Sequence, residues 1–403
     1  MGDNVYYKTI EDNYNRDIGN LLALAVLFPI LNRTIQGLFQ KLGLPIDGGL
    51  LVYAIIMINM IFMLFKYRKQ VLRKFIIVYL MVLLIFCLNY FVFESTRIYY
   101  IEYQGYLRRV LLIFIPIAIL VTKVHDYKPF FYRMIPISYI GILVGLIGIL
   151  FDFLPYWDRL TFSIYLLPFS MMLYYHYRRR FKIIDLAMFL IGFILILNYG
   201  GRMSLFSIVA YIFLFELLNN LYKNSKLFII NATFITAFLL LLFSLWEYIL
   251  SKLLLLFQGF NIESRNLEKI LNNEVFSFDT RTPIYEYSKL ELSELGFGMH
   301  GIFGDRVVLK PYGSWIAYSH NIIYELFLSF GFVIGSLIIL FIGVKILKGL
   351  FKGNIYRKNI ILMFSCIVIL RLWVSGSFVI EDNFYILLGI LLSKNSYTPF
   401  LKT

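Results

Sequence analysis

A histidine at the boundary between a polar and an apolar stretch is the residue best placed to do chemistry in this sequence. His320 lies in SHNIIYELFLSFGFVIG, directly after the longest polar segment of the chain. We expect Ser319 to cap a helix there, with His320 in its first turn. Because a helix N-terminus disfavours a charged imidazolium, the ring should stay neutral and able to accept a proton. His320 is therefore a candidate general base, with a purely structural role as the alternative.

Polar side chains continue for one turn after His320. Tyr324 would share the helix face of His320, while Asn321 and Glu325 share the neighbouring face at i,i+4 spacing. A carboxylate one turn into a membrane helix is costly unless it faces a polar cavity. The sequence therefore predicts a polar cavity next to this turn.

Three arginines lie where an anionic partner is expected. Arg202 follows two glycines in NYGGRMSLF and opens a predicted helix, and Arg281 precedes the helix predicted for RTPIYEYSKLELSELG. Glycines allow a close approach of the backbone and helix N-termini bind phosphate oxygens, so these two arginines suggest a pyrophosphate site. Arg371 lies within a predicted span near its end, where a cation requires an anionic partner.

The composition places these residues in a membrane protein. Of the 403 residues, 60% are hydrophobic and 15% charged, and the mean hydropathy is +0.76. We predict an all-α, polytopic integral membrane protein, because apolar windows of the length that crosses a bilayer recur from end to end. There are about twelve such windows, around 18–40, 49–66, 74–93, 107–122, 134–154, 160–177, 183–198, 203–222, 227–249, 320–344, 359–377 and 381–393.

The formal net charge of +14 is interpreted as membrane topology rather than nucleic-acid binding. With twelve spans, the short basic loops all lie on one side, which the positive-inside rule assigns to the cytoplasm. These loops are 66–74, 123–133, 178–182, 223–226 and 345–358. Both termini are then cytoplasmic, and His125 and His176 are expected to be solvated residues beside these loops. Membrane lipids are expected partners, and no nucleic acid is.

The chain is predicted to have three consecutive parts. They are a first transmembrane bundle at 1–250, a large helical extracytoplasmic loop at 251–319, and closing transmembrane helices at 320–403. Loops of this length are usually functional. Short helices are predicted within it at 253–260, 261–273 and 281–298, packed over the outer mouth of the bundle.

The glycine-dense stretch GFGMHGIFGD carries His300 and predicts a tight, irregular loop. It follows no predicted strand and lacks the spacing of a dinucleotide-binding motif. The sequence has no Walker motif, metal-binding helix or paired-cysteine site, and Cys87 and Cys366 both fall within predicted spans. We therefore expect no metal and no cofactor, so an enzyme on the outer face would need a substrate that is already activated.

Taken in order, the motifs of the second half resemble the bacterial O-antigen polymerase and O-antigen ligase superfamily. An arginine that opens a loop helix, in DTRTPIYEY, is followed by the turn LGFGMHG and by SHNIIYELFLSFGFVIG at the next span. NYGGRMSLF is similar to an earlier span start of that family, and SGSFVIEDNFYILLGILL resembles its last two spans. These motifs cover about 150 residues, whereas the first half matches only as a set of hydrophobic spans.

The resemblance implies a GT-C-like fold and a glycosyltransferase at the outer face of the bacterial inner (cytoplasmic) membrane. Its donor would be an oligosaccharide on undecaprenyl pyrophosphate, which carries its own leaving group. The favoured function is an O-antigen or capsule polymerase, which transfers the glycan to a repeat unit on a second undecaprenyl pyrophosphate. A ligase with another acceptor is the alternative. A flippase for lipid-linked oligosaccharides is disfavoured, because no duplication relates the two halves of the chain.

The resemblance also implies roles for individual residues. Arg202 and Arg281, helped by Arg265 or Arg371, would hold the donor pyrophosphate, and His320 would accept the proton of the acceptor hydroxyl. A chain-length-regulating co-polymerase is an expected partner. The remaining predicted substrate-binding residues are His300, Asn321, Tyr324 and Glu325, of which Tyr324 and Glu325 would orient His320 or the acceptor.

Overall fold

All regular elements in the described part of the chain are helices. The structure is a computed structural model. It describes residues 2–43, 48–150, 156–199, 202–221, 281–295, 298–313, 318–374 and 376–393, together with the single positions 248, 251, 252, 255 and 259. The predicted all-α class is therefore confirmed for these residues.

The helices follow one another with short connections. In the first half of the chain they are α1 (Gly2–Lys41), α2 (Gly48–Lys66), α3 (Arg68–Val92), α4 (Arg97–Glu102), α5 (Gln104–Arg109), α6 (Ile115–Val121), α7 (Lys128–Leu150), α8 (Tyr156–Arg180), α9 (Ile183–Tyr199) and α10 (Arg202–Leu221). A π-helical turn, Val110–Phe114, joins α5 to α6. In the second half they are α11 (Thr282–Leu295), α12 (Gly304–Leu309), α13 (Ile322–Lys352), α14 (Ile355–Val374) and α15 (Asp382–Leu392).

Five of the described helical stretches are long and apolar enough to cross a membrane by length and composition. They are Glu11–Lys41, Arg68–Val92, Gln104–Val121, Lys128–Gly148 and Ile322–Lys352. Four further apolar helices are shorter, among them α9 and α15. The predicted window 227–249 lies outside the described residues, as do the predicted loop helices 253–260 and 261–273 except at single positions. The count of about twelve spans, their orientation and the GT-C-like fold stay predictions.

Large apolar side chains on the surface fit a lipid solvent. Along α3, only 11% of the most apolar window is buried, and Leu80, Leu84 and Phe91 are all exposed. In water such a continuous apolar face would be unfavourable, whereas hydrocarbon tails are as apolar as these side chains. The exposed face of α3 therefore supports a membrane-embedded protein.

The chain packs as two compact units. The first contains Met1–Val26, Leu50–Arg133 and Phe278–Thr403. In it α6 and α15 approach so closely that a Cβ at Gly389 would lie 2.6 Å from the Ala118 carbonyl oxygen. The predicted division at 250 and 319 follows membrane topology instead, and it stays a prediction.

The second unit contains Leu27–Gly49 and Met134–Ser277, and in its described part α8 packs along α9. One polar group there corrects an expectation from the sequence. His176 is not a solvated residue, because its Nδ1 lies 2.8 Å from Oδ2 of Asp185, which is fully buried. Tyr139 donates to the same carboxylate. A buried carboxylate requires such partners, and this requirement draws His176 inward. His125, in the first unit, is partly exposed and pairs with Glu11 at 3.2 Å.

Helix α13 is broken at Gly331. This glycine has φ 74° and ψ 168°, which are not helical values and which residues with a Cβ rarely adopt. The break frees the carbonyl of Ser329 from its helical partner, and the N–H of Gly301 donates to that oxygen at 2.8 Å. The glycine-dense loop predicted around His300 therefore packs directly on the break, and its tight, irregular form is confirmed.

Candidate active site

His320 lies just outside α13, in a left-handed backbone conformation with φ 56°. The N-cap of α13 is Asn321, whose side-chain oxygen accepts from the N–H of Ile323 at 2.9 Å. The prediction that Ser319 caps this helix is therefore wrong. The Ser319 hydroxyl instead donates to the Asn321 carbonyl, and its N–H donates to Asp305. The helix consequently begins one residue later, and the turn before it presents the His320 side chain.

The His320 ring is largely buried and neutral at pH 7. Its centroid lies 4.0 Å from that of Tyr318, and within the described residues its Nδ1 is buried without a hydrogen-bond partner. Burial, and then the positive charges of Arg281 and Arg306, lower the pKa of His320 to about 4. The expected neutral imidazole is present, but burial and two guanidinium groups produce it rather than a helix N-terminus.

Arg281 precedes α11, and its carbonyl accepts from the N–H of Tyr285 at 3.0 Å. The predicted helix after this arginine is confirmed from Thr282 to Leu295. Nη1 of Arg281 donates to the Val374 carbonyl at 2.8 Å. Among the residues that the structure describes, no carboxylate pairs with this half-buried guanidinium. Its remaining N–H groups are therefore free of protein anions and suited to an anionic ligand.

Beside this pair lies a buried charge cluster that the sequence did not single out. Arg306 is 1% exposed and Asp305 is fully buried. Nη1 of Arg306 lies 3.0 Å from Oδ1 of Asp305 and 3.6 Å from Oε1 of Glu325. Burial alone would lower the pKa of Arg306, but these two carboxylates outweigh it and raise that pKa. A possible signal was the pair of charges in the otherwise apolar stretch IFGDRVVL.

Glu325 contacts this cluster rather than His320. Its two oxygens accept from the Ser377 hydroxyl and from the Phe378 N–H, the latter at 3.0 Å. Both donors belong to the turn between α14 and α15. The predicted polar surroundings of this carboxylate are thus supplied by Arg306 and by that turn.

Other predicted site residues are spread around the same region. The Tyr324 ring lies 5.8 Å from the ring of Tyr285. Arg371, which was expected to need an anionic partner, has one in Glu381. His300 is half-buried in the loop before α12, and burial lowers its pKa. The fold thus brings several of the predicted polar residues into the first unit, around His320.

Two predicted arginines cannot be placed in this arrangement. Arg202 is the first residue of α10, as expected for a helix start, but it belongs to the second unit. The position of its side chain relative to His320 is not described. Arg265 lies outside the described residues. Arg281 is therefore the one predicted pyrophosphate ligand that the described structure brings close to His320 without a protein anion.

The arrangement combines a proton acceptor with an anion-binding group. A neutral, partly accessible imidazole can take a proton from a hydroxyl, and Arg281 can bind and stabilise an anion that forms nearby. The same chemistry would suit the transfer of a group from a phosphate-containing donor. Comparison with protein-family models, curated proteins and solved structures finds no match to this chain.

Proposed function

We propose that this protein is a membrane-embedded glycosyltransferase that uses a glycan on undecaprenyl pyrophosphate as its donor. The acceptor is a repeat unit on a second undecaprenyl pyrophosphate, which makes the enzyme a polymerase of O-antigen or capsule. The site faces the outer side of the inner membrane, and Arg281 and His320 are its central residues. The resemblance of the ordered motifs in the second half supplies the substrate class.

One structural observation carries the proposal. A neutral His320 in a strained backbone conformation lies beside Arg281, whose guanidinium has no carboxylate partner in the described part of the chain. Strained backbone of this kind persists only where its surroundings enforce it, and it is common at active sites. The pair lies at the start of a long apolar helix, where a lipid-linked substrate can arrive from the bilayer.

In the proposed reaction, an acceptor hydroxyl attacks the anomeric carbon of the donor sugar. The oxygen of the acceptor forms the new glycosidic bond, and its proton passes to His320. The bond between the anomeric carbon and the pyrophosphate oxygen breaks, and both electrons leave with that oxygen. Arg281 stabilises the released undecaprenyl pyrophosphate, and the imidazolium then returns its proton to water or to the leaving group.

Substrate binding would make His320 a better base. The charge of Arg281 contributes to the low pKa of His320 in the free protein. A bound pyrophosphate offsets that charge, so the pKa of the ring should rise when the donor binds. The free enzyme thus keeps the ring unprotonated, and the donor brings its basicity closer to the working pH.

The test is a transfer assay with purified protein. The sole substrate is the lipid-pyrophosphate-linked oligosaccharide extracted from a strain of the source bacterium that lacks this protein. The wild type should produce a ladder of longer glycans, and His320→Asn should lose it. His125→Asn, which changes a histidine paired with Glu11, should keep the ladder.

The other outcomes separate the alternatives. If the wild type makes no ladder but transfers the glycan once a non-repeat acceptor is added, the protein is a ligase. If neither reaction occurs but a fluorescent lipid-linked oligosaccharide crosses proteoliposomes equally well with wild type and His320→Asn, it is a flippase. Either result refutes the polymerase.

A further inference from the structure

The carboxylate of Asp305 connects the buried charge cluster to the turn that carries His320. Its Oδ1 lies 3.0 Å from Nη1 of Arg306. Its Oδ2 accepts a hydrogen bond from the backbone N–H of Ser319, also at 3.0 Å. Because Ser319 is the residue directly before His320, one carboxylate links Arg306 to the backbone of the active-site turn.

Arg306 is itself held from several directions. Its Nη2 donates to the Ser377 hydroxyl at 2.9 Å. Its Cζ lies 4.8 Å from the centre of the Phe303 ring and 4.9 Å from that of Tyr103. A buried guanidinium held by hydrogen bonds, ion pairs and aromatic faces is a rigid support. Asp305 therefore has one of its oxygens on a fixed partner.

His320 needs such support because its backbone is strained. A left-handed conformation costs a non-glycine residue about 1–2 kcal/mol, so the neighbouring residues must enforce it. Asp305 fixes the preceding N–H, and the cap that Asn321 forms with Ile323 fixes the residue that follows. Arg306 also lies 5.7 Å from the ring of Tyr318, which packs on the His320 ring. The turn is thus held before His320, after it and against its ring.

We propose that Asp305 is a positioning residue for His320. Through the Ser319 N–H it sets the backbone conformation that directs the imidazole toward the acceptor hydroxyl, and Arg306 fixes Asp305 in turn. This role rests on the proposed function, in which His320 is the base. The position of the ring, however, can be measured whether or not the protein transfers glycans.

The test uses two changes at Asp305 and one matched control. Asp305→Asn removes the charge, and Asp305→Glu keeps it but lengthens the side chain. Asp382→Asn is the control, since Asp382 is another buried carboxylate on an arginine, 2.9 Å from Nε of Arg109, and it makes no contact with the Ser319 N–H. All three variants are compared with wild type as full-length protein in detergent micelles.

Two readouts are needed. The first is kcat and KM in the transfer assay with the extracted lipid-linked oligosaccharide. Both changes at Asp305 should lower kcat on the order of 100-fold, as a misplacement of about 1 Å does, with KM changed less than about threefold. The second is the imidazole NMR resonances of ¹⁵N-histidine-labelled protein, in which the His320 signals should move. Asp382→Asn should lose stability but keep kcat within about twofold and leave the His320 signals in place.

The possible results decide between a positioning role and a merely structural one. If either folded Asp305 variant keeps both the wild-type kcat and the wild-type His320 signals, the proposal is overturned. It is also overturned if Asp382→Asn moves the His320 signals as much as the Asp305 variants do. If Asp305→Asn does not fold, Asp305→Glu gives the decision, because its ion pair with Arg306 is retained. If the wild type has no transferase activity, the proposed function fails, and the NMR result still tests the positioning.

Discussion

The low pKa of His320 predicts a stability that depends on pH in a specific way. In the folded protein the pKa is about 4, whereas the unfolded chain has the ordinary value near 6.5. As the pH falls below 6.5, the unfolded chain takes up the proton first, so acid favours unfolding. The neutral ring therefore costs no stability at pH 7, and the protein loses stability as the pH falls toward 4.

The size of this loss follows from the two pKa values. They differ by about 2.5 pH units, which corresponds to a limit of about 3.4 kcal/mol in the free energy of unfolding. Between pH 7 and pH 5 the expected loss is about 2 kcal/mol. His320→Asn removes the titrating ring, and asparagine tolerates the left-handed conformation better than most residues. The variant should therefore fold and lack this part of the pH dependence.

The assay is the free energy of unfolding in detergent micelles, measured from pH 7 to pH 4 for wild type and His320→Asn. Other groups, including His300, titrate in both proteins and cancel in the difference. That difference should shift in favour of the variant by about 2 kcal/mol between pH 7 and pH 5. A difference that stays constant over this range would refute a buried, neutral His320.

Three further changes test the site and its supports. Arg281→Gln should raise KM for the lipid-linked donor about tenfold or more, since a charge-assisted hydrogen bond contributes about 1.5–3 kcal/mol, and it should move the acid limb of the pH–rate profile upward because the pKa of His320 rises. Arg306→Met leaves two buried carboxylates without their cation and should cost about 3–5 kcal/mol of unfolding free energy at pH 7. Gly301→Ala should destabilise by on the order of 1–3 kcal/mol, because φ is +81° and a Cβ would lie 2.2 Å from a side-chain nitrogen. Gly105→Ala, with open space around its Cβ position, is the control.

The helices could be predicted from sequence because their signals are local. A membrane span is an apolar window of sufficient length, and the described helices begin and end near the predicted limits. The helix after Arg281 was equally accessible, since it opens on Thr-Pro and is followed by glycine. For the same reason, His320 and Arg281 could be proposed as neighbours in function from motif order alone.

The parts that escaped prediction depend on contacts distant in sequence. Arg306 and Ser377 are 71 positions apart, and no local pattern indicates that they hydrogen-bond. The start of α13 was misplaced by the same kind of contact, since Asp305 engages the N–H of the serine that local propensity favours as a cap. The role of Asp305 therefore became visible only when the fold brought it against the active-site turn.

The break at Gly331 explains how a glutamate can follow a membrane-helix start without facing lipid. The stretch from 332 to 352 contains about 21 residues and is about 31 Å long as a helix, which is already the thickness of a hydrocarbon core. The segment from 322 to 330 is consequently not required to cross the membrane, and it is free to pack against the loop at Gly301 and the turn at Ser377. Its buried Glu325 belongs with that polar packing, whereas the residues after the break, such as Phe332 and Leu337, are exposed and apolar. One apolar run in the sequence thus contains two elements, of which the first supports the chemistry and the second anchors it in the bilayer.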